Sequence, residues 1–193
     1  MYIDNKKILR EVIAFEQSQY RKLAFHSKKE YIWAKLFHNP TILIMKWQKY
    51  SRIADYYAHA CMREYSIRNL VCSKYYEFLR YKYANKCGFE IYTSNIGRGF
   101  MVYHIGATVI NPDTIIGDNV HLHGNNCIGN GGDYNFACPI IGNNVKVGVG
   151  AKIIGGIKIG DDCYIGACAL VNKSFEVGQI LIGVPAKALC KDE

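Results

Sequence analysis

Three histidines in the second half of the chain, His104, His121 and His123, are of the type that moves protons near neutral pH. His121 and His123 flank Leu122, so on a strand whose Leu122 points inward both face outward. Paired histidines invite a metal reading, but no third ligand stands near them, and no metal is expected. Taken alone, His104 reads as an exposed histidine and Glu90 as a charge at a helix end. The eight cysteines are scattered without a CxxC pair, which supports neither a disulfide framework nor a zinc site. No phosphate-binding loop or dinucleotide fingerprint is present. The stretch 129–139, rich in Gly and Asn, reads as a loop, and loops on rigid scaffolds often carry function.

The scaffold is legible as a repeat. Ile141, Val147, Ile153, Ile159, Ile165 and Val171 recur every six residues, and Ile110, Ile116, Leu122 and Ile128 keep the same step. Ile96 and Val102 form a third set, two residues out of phase with the second. Residues four places after these aliphatics are often small or apolar, as at Val120, Val145, Ala151, Ile157, Cys163 and Ala169. A period of six is neither a helix nor a simple alternation. It suits a triangular coil with one short strand per side, stacked at about 4.8 Å per turn. Gly, Asn and Asp then form the corners, where they tolerate left-handed backbone. The phase slips by two near Thr108–Ile110, and Ile128 and Ile141 lie thirteen residues apart where two hexads would give twelve.

Residues 1–87 read instead as helix. Asn39-Pro40-Thr41 is a helix start, Ser66 a candidate cap for a later helix, and Gly88 a left-handed stop. Residues 1–90 carry 17 Lys and Arg against 8 Asp and Glu, whereas residues 91–193 carry 7 against 8. The whole +8 charge therefore belongs to the helical segment. Such a surface attracts anions, and a peripheral contact with the inner face of a membrane is one expectation. Nucleic acid is not expected as a partner, because no recognised binding motif accompanies the charge. With no apolar run near the ~20 residues of a membrane span and no secretory leader at the start, a cytoplasmic protein is expected.

The hexads, with Gly88-Phe89-Glu90-Ile91, Tyr103-His104-Ile105-Gly106-Ala107-Thr108-Val109-Ile110-Asn111 and Ile182-Gly183-Val184-Pro185-Ala186-Lys187, resemble the hexapeptide-repeat acyltransferases. The match is to their serine O-acetyltransferase-like branch, and within it to capsule and exopolysaccharide O-acetyltransferases. The resemblance implies a mainly β fold. Residues 88–193 form a left-handed parallel β-helix with a loop at 129–139 and a C-terminal tail, behind an N-terminal α-helical segment.

The same resemblance implies an acetyl-CoA-dependent O-acetyltransferase, assembled as a homotrimer, in which a hydroxyl attacks the thioester directly. His104 falls on the family's general base and Glu90 on its orienting carboxylate. Tyr103, His123, Tyr134 and Asn135 are the expected acceptor contacts. Val149, Ala167, Asn172, Lys173 and Lys187 fall on positions that hold the CoA arm and its phosphates. Tyr103 replaces the serine enzymes' acceptor-binding Asp, and Ala137-Cys138-Pro139 replaces their Arg-His pair before Pro. A sugar or polysaccharide hydroxyl is therefore the expected acceptor, with serine, as in cysteine biosynthesis, the alternative. A non-catalytic trimeric scaffold is the rival from another class.

Overall fold

The computed structural model describes residues 3–37, 39–92, 94–132 and 135–189. The chain divides between Gly88 and Phe89 into two compact units.

The first unit consists of helices α1 (Lys6–Ala24), α2 (Lys28–Leu36), α3 (Pro40–Arg63) and α4 (Ile67–Cys87). Asparagines cap two of them. Asn5 Oδ1 accepts from the Lys7 amide at 2.7 Å, and Asn39 Oδ1 from the Thr41 amide at 2.9 Å. Pro40 occupies the first turn of α3, as the sequence predicts. Ser66 precedes α4 but its side chain makes no cap bond, while Gly88 ends that helix at φ 73°. Ile3, Leu9, Val12 and Tyr56 form an apolar core between α1 and α3. Beside it lies a buried ion pair. Arg52 Nη2 donates to Glu16 Oε1 at 2.6 Å and Nε to Oε2 at 3.3 Å. No helix among the described residues is long and apolar enough to cross a membrane.

The second unit is a parallel β-helix of three faces. The first face stacks Phe89–Ile91, Thr108–Ile110, Cys127–Gly129, Lys152–Ile154 and Leu170–Val171. The second stacks Ile115–Ile116, Ile140–Ile141 and Lys158–Ile159, extended by single bridges at Ile96 and Phe175. The third stacks Met101–Val102, His121–Leu122, Lys146–Val147, Tyr164–Ile165 and Ile180–Gly183, and closes on the antiparallel strand Ala186–Ala188.

Register places the repeated aliphatics in three inward columns. Ile91, Ile110, Ile128, Ile153 and Val171 pair in succession. Ile96, Ile116, Ile141, Ile159 and Phe175 form the second column, and Val102, Leu122, Val147, Ile165 and Leu181 the third. The hexad step therefore moves the chain by one face, and five coils are stacked. Asn119, Asn125, Asn144, Asp162 and Cys168 turn the corners at φ 54–58°. Short polar side chains fill four of these five positions, in keeping with their tolerance of left-handed backbone.

One reading of the spacing is corrected. Ile128 and Ile141 lie on consecutive faces rather than two faces apart. The regular step between them is thus six residues, not twelve, and the loop adds seven residues rather than one.

Candidate active site

The phase slip has a structural meaning. Between the third and first faces the chain normally needs six residues, as from Leu122 to Ile128, but it uses eight from Val102 to Ile110. The surplus enlarges the corner Tyr103–Ala107, on which His104 and Ile105 are exposed. The candidate base therefore stands on a protruding corner of the first coil.

That corner rests on the next coil. A Cβ on Gly124, whose φ is +106°, would come within 3.1 Å of the His104 carbonyl oxygen and 3.3 Å of its Cβ. The Gly124 amide donates to Asn126 Oδ1 at 3.0 Å. Asn126 Nδ2 in turn donates to the Gly148 carbonyl at 2.8 Å, and Asn126 is wholly buried. The side chain thus pins the coil beneath His104 to the coil after it. Sequence reasoning missed Asn126, because Asn125-Asn126 looks like any other Asn-rich corner. Only the fold shows that one of the pair points inward.

Gly124→Ala is expected to depress transfer activity and lower the melting temperature together. The new methyl forces a strained backbone and presses on His104. Thermal melts alongside a transfer assay check this, and wild-type values in both would contradict it.

Around the corner three ring side chains meet. Tyr103 Oη lies 3.0 Å from His121 Nδ1, with the rings edge to face. The Tyr103 and His123 ring centroids are 4.7 Å apart. Burial first, then Lys146 and His123, lowers the His121 pKa from its ordinary 6.5. Burial first, then His104 and Lys146, lowers that of His123. Burial raises the Tyr103 phenol. Near neutral pH the cluster therefore consists of neutral imidazoles and a neutral hydroxyl, which donate and accept hydrogen bonds without carrying charge. No carboxylate is among the groups that act on either ring. His121, passed over as a site residue, is the partner of Tyr103; the alternation around Leu122 was its signal.

The lowered imidazole values make a pH prediction. A histidine whose pKa falls on folding binds fewer protons in the native state than in the unfolded one. Stability contributed by His121 and His123 is therefore present above the unfolded value near 6.5 and is lost as pH falls below it through the lower folded values. The wild-type melting temperature should drop between pH 7.5 and 5.5, and His121→Gln should blunt the drop. Identical pH slopes for wild type and variant would refute the assignment.

The remaining expected residues divide between two corners. Glu90 is exposed at the centre of Phe89–Ile91, opposite Val109, and no hydrogen bond or ion pair joins it to His104. Val149 and Ala167 lie on the same corner as His104, on the third and fourth coils, with the Cys168 amide bonded to the Val149 carbonyl at 2.9 Å. Lys187 lies on the closing hairpin opposite Ile182 and is exposed. His104, Gly124, Val149, Ala167 and Gly183 thus run down one edge.

Asn135, Asn172 and Lys173 lie instead on the corner between the first and second faces. Asn135 bridges Gly132 across the loop and accepts from the Ala137 amide at 3.2 Å. Tyr134 falls outside the described residues. Phe136 is 75% exposed at the loop. The Lys173 ammonium sits 5.4 Å from the centre of the Phe175 ring. Within one chain the two corners flank the first face and do not converge. Among the described residues no group of three His, Cys, Asp or Glu side chains is assembled to hold a metal.

This coil architecture defines the class: a hexapeptide-repeat β-helix behind a helical unit. The family model "Bacterial transferase hexapeptide (six repeats)" matches residues 138–173. Helicobacter pylori (strain J99) serine acetyltransferase is 41% identical over 107 residues, which are 54% of this chain and 63% of that protein. The chain thus spans less than two thirds of that relative. The Escherichia coli K12 protein named "Putative colanic acid biosynthesis acetyltransferase WcaB" is 36% identical over 110 residues, 55% of this chain and 68% of the relative. A serine acetyltransferase structure in complex with CoA superposes with a TM-score of 0.68 at 20% identity, over 95% of this chain and 70% of that one. That likeness bears on the fold alone. The chain belongs to the hexapeptide-repeat acetyltransferases, in the serine acetyltransferase-like group.

Proposed function

We propose that the chain transfers an acetyl group from acetyl-CoA to a hydroxyl of a sugar or polysaccharide. The observation that carries the acceptor class is the Tyr103–His121–His123 cluster beside His104, which has Lys146 as a neighbouring cation but no carboxylate to match an ammonium. A serine acceptor brings an ammonium and a carboxylate that need matching charges. A sugar brings neutral hydroxyls, and the cluster offers neutral donors and acceptors.

The reaction follows from one base. His104 takes the proton of the acceptor hydroxyl as the oxygen attacks the thioester carbonyl. A carbon–oxygen bond forms, and the tetrahedral oxyanion accepts a hydrogen bond from His123. The intermediate collapses with loss of the carbon–sulfur bond, and the imidazolium returns its proton to the departing CoA sulfur. Glu90 holds the ring nitrogen opposite the reacting one in the bound state, by the logic of Ser-His-Asp enzymes. Its exposed position leaves it free to swing, and catalytic hydrogen bonds often tighten only with substrate bound.

The thioester arm lies along the edge of Val149 and Ala167, with Lys187 toward the phosphates. Asn172, Lys173 and the Asn135 loop, on the other corner, complete the groove from an adjacent copy. That division supports a trimer, which places one corner type against the other at every interface.

The test is acetyl transfer from acetyl-CoA to serine, simple sugars and nucleotide sugars, followed by thiol release. Transfer to a sugar supports the reading. Transfer to serine alone would move the chain to the second reading, favoured by the Helicobacter pylori relative. Lys173→Gln is expected to raise the KM for acetyl-CoA several-fold with little change in kcat. An unchanged KM would remove Lys173 from the groove.

A further inference from the structure

Between α1 and α3, with α2 and α4 at its margins, the helical unit holds a groove of about 760 Å³. Six cations line it: Lys6, Arg10, Arg21, Lys35, Lys46 and Lys49, with no carboxylate among the lining residues. None of the six is ion-paired among the described residues. The unit's engaged carboxylates are spent elsewhere: Glu16 on Arg52, Asp55 on Arg80, Glu77 on Lys74 and Arg80, and Glu30 on His26. Like charges crowded in a concave site repel one another, so an unneutralised groove is poised for an anion.

The groove's tyrosines narrow the choice of anion. Tyr76 is stacked on Tyr50 at 6.2 Å and on Tyr57 at 6.0 Å. The Tyr31 ring carries the Arg21 guanidinium at 4.8 Å and the Lys35 ammonium at 4.6 Å. These contacts engage the ring faces, and the Tyr31 hydroxyl accepts from Arg21 Nη2 at 3.4 Å, whereas no hydrogen bond among the described residues engages the Tyr50 and Tyr76 hydroxyls. Single-stranded nucleic acid needs open aromatic faces on which to stack bases. A bilayer would meet the exposed apolar residues on and just after α2, Ile32, Trp33, Leu36 and Phe37, which are not part of the groove lining. Hydroxyls and cations together suit a chain bearing many hydroxyls and repeated carboxylates.

We propose that this groove binds an acidic polysaccharide, and so that the acceptor is an anionic glycan held by the helical unit. The proposal rests on the glycan reading above and adds its charge and its second point of attachment. Arg10, Arg21 and Lys35 take the carboxylates, Arg by its planar fork. The Tyr50 and Tyr76 hydroxyls bond the sugar hydroxyls.

The experiment measures binding of oligomannuronate from alginate to the full chain by calorimetry, with neutral dextran oligosaccharide, oligo(dT) and phosphatidylglycerol vesicles as competitors. The exposed triple variant R10Q/R21Q/K35Q is expected to weaken oligomannuronate binding by roughly tenfold or more. K7Q/K28Q/K29Q removes the same charge outside the groove and should change it by no more than about twofold. The single variants Arg21→Gln and Lys35→Gln, checked by thermal melts, guard against a folding effect. Equal losses in the two triple variants, equally tight dextran binding, or preference for oligo(dT) or vesicles would overturn the proposal. Transfer to a small neutral sugar, read in parallel, reports on the glycan reading without the groove, so the two fail separately.

Discussion

His104→Ala is expected to reduce acetyl transfer by a factor of roughly 10² to 10⁴, the range for removal of a general base. The variant should bind acetyl-CoA as the wild type does and melt at the same temperature. His104 is exposed on its corner, and no hydrogen bond or ion pair of its side chain holds the fold. Its packing against Gly124 involves the carbonyl and Cβ, which alanine keeps. The expected split, lost turnover with retained binding and stability, separates three possibilities. A non-catalytic scaffold would show no change. A structural role would show a lower melting temperature. Glu90→Gln should give a smaller loss and a shifted pH profile, since the role proposed for Glu90 is exerted through the imidazole.

Arg52→Met is expected to cost the helical unit about 3–5 kcal/mol, because it removes the forked contact from a Glu16 that stays buried. Glu16 is 1% exposed and Arg52 is 7% exposed. The two make a forked contact at 2.6 and 3.3 Å between α1 and α3. The double variant Glu16→Leu/Arg52→Met should recover most of the loss, since a buried pair replaced by apolar groups of similar volume is often near neutral. Chemical denaturation of the single and double variants checks this. Additive losses would show that the charges stabilise the unit by means other than each other. Both halves of this pair lie 36 residues apart in sequence, and nothing in their spacing announced it.

The β-helix was legible because its physics repeats. One inward aliphatic per face, with left-handed corners between faces, leaves a period of six on Ile and Val. The helix ends were legible where a local signal exists, as at Asn39-Pro40 and Gly88. Ser66 shows the limit, since a suitable residue type does not guarantee the bond. The site was only half legible. His104 stood out through the resemblance, and the phase slip at residues 103–107 was visible without its meaning as the corner that carries His104. Asn126, the His121–Tyr103 contact and the cationic groove were not visible. Each depends on residues from different coils or helices brought together by packing, and local pattern carries no trace of such neighbours.

The closing hairpin Ile180–Gly183/Ala186–Ala188 has a consequence for reach. An open parallel stack would accept further coils, whereas an antiparallel turn ends the third face and fixes the count at five. Four steps of about 4.8 Å then separate the first coil from the last, roughly 19 Å along the edge from His104 to the neighbourhood of Lys187. The solenoid is thereby a ruler graduated in coils. An inserted set of three hexads would move Lys187 away from His104 by one graduation while leaving both ends chemically intact. On the acetyl-transfer reading proposed above, the span that the thioester arm must bridge is set by the number of coils between His104 and Lys187.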